Sequence, residues 1–70
     1  MSKLTPEEVQ RRRELTEKLQ KGTLTPEEAQ ELIEILEKEK KIAEEERDFA
    51  ALVAIFLLLA LIAMYLNKKQ

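Results

Sequence analysis

The sequence predicts an all-α protein, an N-terminal antiparallel helical hairpin whose second helix continues into a single C-terminal transmembrane helix. Three observations predict it. Charged residues (37%) and hydrophobic ones (44%) lie in separate blocks instead of alternating. The string Leu-Thr-Pro-Glu-Glu occurs at residues 4–8 and again at 24–28. Residues 49–66 read FAALVAIFLLLALIAMYL, 18 positions with no charge, no Gly and no Pro. The organisation expected is therefore a charged hairpin over 1–48, a span over 49–66 and a short polar tail over 67–70.

The first helix is expected over 6–21. The Thr5 hydroxyl is placed to accept a backbone N–H at the helix start, and Glu8 is placed to reach back to Thr5, which makes a capping box. Pro6 then occupies the first helical position, where a missing N–H breaks no bond. Leu4 and Val9 can staple across this start, and Glu7 and Glu8 face the positive end of the helix dipole. Gly22, the one glycine in the chain, is placed for a left-handed cap and a turn over 22–24.

The second helix opens from residue 26 by the same chemistry, with Thr25 and Glu28 as the box and Leu24 stapling onto Ala29. Glu14, Glu17 and Lys18 also match Glu34, Glu37 and Lys38 at the same offset. Two copies fall short of the three that a solenoid needs, so the echo marks two helix starts. No Gly or Pro follows Pro26. One unbroken helix is therefore expected from there through the span, about 60 Å long at 1.5 Å per residue. Glu14–Lys18, Glu17–Lys21, Glu34–Lys38 and Glu37–Lys41 have the acid four residues ahead, the favourable order for pairs within a helix.

Val9, Leu15 and Leu19 form a narrow stripe on the first helix, and Ala29, Leu32, Ile33 and Leu36 face one side of the second. Together they form the expected core of an αα-hairpin. Residues 1–22 carry six basic and four acidic groups, residues 26–48 four basic and ten acidic, so the arms attract. Arg11, Arg12 and Arg13 point in different directions on a helix and are expected to contact Glu31, Glu34 and their neighbours.

Leu15, Leu19, Gly22, Leu24, Thr25, Glu27, Glu28, Leu32 and Leu36 resemble the pattern of the SHOCT family of short helical modules. The resemblance covers residues 15–36, and Ala29 stands where the family has an aromatic residue. It implies a two-helix hairpin around a Gly-x-hydrophobic-Thr turn and a role in oligomerisation or recruitment.

An 18-residue helix covers about 27 Å, close to the roughly 30 Å of a bilayer's hydrocarbon core. The central helix of a soluble bundle would need apolar neighbours on every side, and the remaining residues do not supply them. Phe49 and Tyr65 are placed to mark the two interfaces, and Lys68 and Lys69 to reach lipid headgroups. Lys38, Lys40, Lys41 and Arg47 outnumber the basic residues beyond the span. That puts the N-terminus on the cytoplasmic side, as in a tail-anchored protein, although Glu44, Glu45, Glu46 and Asp48 make the same flank locally acidic. In helical projection Ala29, Leu32, Leu36, Ala43, Ala50, Ala54, Leu57 and Leu61 form one seam for helix packing. Within it Ala50 and Ala54 form a small-xxx-small pair.

The chain has no His and no Cys. It thus lacks the usual metal ligands, thiol nucleophiles and bases that work near neutral pH. No catalytic residue, metal or cofactor is expected, and the protein is read as a non-enzyme. A net charge of −2 and a polar half without an aromatic surface argue against nucleic acid as a partner. The expected partners are the lipid bilayer and other membrane subunits or copies of the chain. The expected role is a single-pass accessory or structural subunit of a larger membrane assembly or homo-oligomer. Two alternatives are a viral or filament coat of stacked helices, with Lys68 and Lys69 toward nucleic acid, and a designed membrane helical protein, suggested by the consistency of caps and ion pairs.

Overall fold

A computed structural model describes residues 3–69, for Lys69 the backbone alone, and the chain forms three helices: α1 (Pro6–Lys21), α2 (Pro26–Glu46) and α3 (Phe49–Lys69). Both predicted helix starts are present. Thr5 Oγ1 accepts the Glu8 N–H at 3.1 Å, and Glu8 Oε1 accepts the Thr5 N–H at 2.9 Å. Thr25 and Glu28 repeat the exchange at 3.1 and 3.0 Å. Helix α1 ends as expected at Gly22, whose φ of 73° is left-handed. The Gly22 N–H donates to the Leu19 carbonyl and the Thr23 N–H to that of Lys18, the double closure of a Schellman motif.

The unbroken 60 Å helix is not formed. Helix α2 stops at Glu46, and Arg47 takes φ 56° and ψ 40°, the left-handed region, without being glycine. The closure repeats the one at Gly22: the Arg47 N–H donates to the Glu44 carbonyl and the Asp48 N–H to that of Ala43. Asp48 then caps α3 at once, its Oδ1 accepting the Ala51 N–H at 3.1 Å while its carbonyl accepts that of Leu52. An aspartate directly ahead of an apolar run is a cap signal, and it competes with the absence of Gly and Pro that favours continuation.

After this turn α3 doubles back along α2, so that the Tyr65 hydroxyl donates to the Leu24 carbonyl at 2.8 Å, beside the α1–α2 turn. The chain is an up-down-up bundle of 37 × 23 × 15 Å with α2 touching both other helices. Among the described residues the three helices do not form an extended rod.

One core cluster joins the three helices. It takes Leu15 from α1, Leu24 from the turn, Ala29, Leu32, Ile35, Leu36 and Ala43 from α2, and Ile55 and Ile62 from α3. Around the last two, Ala51, Leu52, Leu58, Leu59, Tyr65 and Leu66 pack partly buried, so α3 has an inner face despite being apolar all round.

Candidate functional site: an apolar face beside a charged hairpin

Opposite that inner face, α3 presents Phe49 (76% exposed), Val53 (60%), Phe56 (65%), Leu57 (62%), Leu61 (53%) and Met64 (67%). Ala50, Ala54, Ala60 and Ala63 are exposed between them, and no charged side chain interrupts the run. The surface arises because α1 and α2 offer only one apolar flank to α3. Charged residues occupy their remaining faces, and among the described residues the outer side stays largely uncovered, with Lys40 over the Phe56 ring at its edge. Helix α3 is long and apolar enough to cross a membrane, with little of it buried inside the bundle. Where α1 approaches α3 it leaves an open trough of about 640 Å³, lined by Leu19, Leu58, Leu61 and Met64 with Lys68 at its rim.

The expected packing seam is divided by the break at Arg47. Ala29, Leu32, Leu36 and Ala43 are buried in the bundle, whereas Ala50, Ala54, Leu57 and Leu61 lie exposed on the outer face of α3. A seam shared by both helices requires one straight axis, and the turn brings Ile55 and Ile62 against α2 in its place. Of the expected hairpin core, Leu15 is fully buried while Val9, Leu19 and Ile33 are half-buried. Ile35 and Leu24 belong to the core and were not expected there. Ile35 falls outside a stripe drawn for one partner helix. A leucine beside a helix cap carries a weak signal, since it reads as a local staple.

The expected membrane anchors divide as well. Phe49 is the most exposed of the large apolar residues among those described and Lys68 is exposed, but Tyr65 is half-buried with its hydroxyl turned inward to Leu24. The side chain of Lys69 lies outside the described residues.

The charged hairpin is laced across its arms. Arg11 donates from Nε and Nη2 to the Glu31 carboxylate at 2.7 and 3.1 Å, and Lys38 donates to both oxygens of Glu8 at 2.9 and 3.0 Å. Lys18 bonds Glu28. Lys18 and Lys38 thus serve the opposite helix, where the sequence suggested Glu14 and Glu34 on their own. Lys40 Nζ stands 5.8 Å from the centre of the Phe56 ring, a cation–π contact between α2 and α3.

These contacts set the carboxyl ionisations. The hydrogen bond from Lys18, then that from the Thr25 backbone, lowers Glu28 to about 2. The Thr25 counterpart in α1, the Thr5 backbone, followed by Lys38, lowers Glu8, and Arg11 lowers Glu31. Glu39 moves the other way. Its Oε1 lies 2.7 Å from Arg12 Nε, yet neither buried atom makes a hydrogen bond among the described residues. Burial therefore outweighs the attraction and raises the Glu39 carboxyl.

No family model, curated protein or solved structure matches this chain.

Proposed function

We propose that the protein is a small membrane-anchored accessory or structural subunit without catalysis, in which α3 enters the lipid bilayer and the α1–α2 hairpin stands at its cytoplasmic surface as a contact platform. The observation that carries this reading is the outer face of α3. Its six large side chains are each more than half exposed, on the order of 700 Å² of apolar surface at roughly 100–150 Å² apiece. Ordinary soluble monomers carry largest patches of roughly 300–600 Å². At about 25 cal/mol per Å², removing this surface from water is worth on the order of 15 kcal/mol. A bilayer supplies that burial along the whole helix. The hairpin, cross-linked by Arg11–Glu31, Lys38–Glu8 and Lys18–Glu28, keeps its charges in water and offers both signs to a partner protein. The resemblance to SHOCT modules points to the same kind of interaction role.

Membrane fractionation with an alkaline carbonate wash tests the reading. The full chain is expected to stay with the pellet and to be released by mild detergent as part of a larger particle. Recovery in the aqueous supernatant would refute the membrane anchor, and a monomer in every mild detergent would refute the subunit role.

A further inference from the structure

The α2–α3 junction has a property that the α1–α2 turn lacks: on its α2 side local chemistry opposes it, and only the Asp48 cap on the α3 side favours it. Arg47 holds a left-handed backbone that an L side chain disfavours. The last turn of α2 carries Glu44, Glu45 and Glu46 with no basic residue, so negative charge meets the negative end of the helix dipole. No Gly or Pro enforces the turn. The bend is thus upheld largely by what lies beyond it, the burial of Ile55 and Ile62 against the bundle and the Tyr65–Leu24 hydrogen bond.

A bilayer removes that support. Inner-face residues such as Leu52, Leu59 and Ile62 are as well accommodated by acyl chains as by α2, while the outer face gains burial that the bundle never gives it. Helix α2 has no such option: Glu37, Lys38, Lys40, Lys41 and Glu44 line it, and hydrocarbon rejects them. Helix α3 therefore cannot span lipid while lying against α2.

We infer that residues 47–48 form a hinge: in water α3 is folded back on the hairpin, and on entering a bilayer it swings away from α2, turning the bundle into a hairpin on a protruding membrane helix. This rests on the proposed membrane reading. In the open form Arg47 can return to right-handed helix and Asp48 stays at the bilayer surface.

The absence of Cys allows paired spin labels at Lys21→Cys and Asn67→Cys, both exposed and close in sequence to the two partners of the Tyr65–Leu24 contact. Pulsed electron resonance on the full chain in buffer is expected to give one short distance. In phosphatidylcholine vesicles the distance is expected to lengthen toward about 60 Å, two 21-residue helices end to end. A bismaleimide bridge between the same cysteines is expected to prevent carbonate-resistant insertion. Vesicle binding with an unchanged short distance would overturn the hinge and leave a membrane protein lying flat on its outer α3 face. Failure to bind vesicles at all would overturn the hinge and the membrane reading together. Insertion of the bridged protein at the rate of the unbridged one would also overturn the hinge.

Discussion

The two turns of this bundle close with the same hydrogen bonds and differ in what holds them. At the first, Gly22 takes φ 73°, and Thr25, Pro26 and Glu28 then restart the helix three residues on. At the second, Arg47 takes φ 56° and Asp48 restarts it immediately. The first turn is made by residues suited to it. The second uses residues equally suited to helix and depends on the packing of α3. A chain with one fixed turn and one conditional turn can keep its hairpin while repositioning its apolar helix.

The largest expected effects come from the packing that upholds the second turn. Ile62→Ala removes a fully buried side chain from the α3 inner face. It should destabilise the bundle by about 2–4 kcal/mol in denaturant unfolding followed by circular dichroism. Leu15→Ala, also fully buried, should cost a similar amount of about 2–5 kcal/mol but act on the hairpin. If the two turns differ as described, only Ile62→Ala lengthens the distance between labels at residues 21 and 67.

Next in size are the turn residues themselves. A Cβ at Gly22 meets nothing within 4 Å, so Gly22→Ala isolates the backbone term and should cost about 1–2 kcal/mol. Asp48→Ala removes the carboxylate cap that accepts the Ala51 N–H and should cost about 1 kcal/mol by the same unfolding assay. Arg47→Gly should act in the opposite direction from Gly22→Ala, stabilising the folded-back bundle by about 0.5 kcal/mol after the added freedom of the unfolded glycine is counted. A loss of stability in Arg47→Gly would show that its side chain, not its backbone, matters at this turn.

The smallest effect is electrostatic. Glu28 is lowered from 4.5 to about 2 by Lys18 and the Thr25 backbone. Because its folded pKa is depressed, its contribution to stability is present above pH 4.5 and disappears as pH falls toward about 2. Glu8 and Glu31 act in the same sense. The raised carboxyl of Glu39 opposes them, favouring the folded state on the acid side of its range. Unfolding measured against pH should therefore show acid loss that is shallower in Glu28→Gln and steeper in Glu39→Gln.

Much of the fold is legible because its signals are local. Thr5-Pro6-x-Glu8 and Thr25-Pro26-x-Glu28 fix two helix starts through bonds spanning three residues, and Gly22 fixes the stop between them. The excess of acid on α2 and base on α1 anticipates Arg11–Glu31 and Arg12–Glu39. The break at Arg47 is not legible in the sequence, because no single residue there forbids helix. Asp48 as a cap is decisive only once α3 packs back, and the shared seam from Ala29 to Leu61 depended on the same straight axis.

The sequence by itself determined three things about this protein: where its polar helices begin, that its 18-residue apolar stretch is long and apolar enough to cross a membrane, and that the usual chemistry of His and Cys is missing from it. Tertiary structure alone decided which side of that stretch faces inward. In a segment apolar at every angle, periodicity carries no preference, and only contact with α2 distinguishes Ile55 and Ile62 from Val53 and Leu57. It also decided that Tyr65 turns its hydroxyl to Leu24, since a partner 41 residues away becomes available only when the chain has folded back.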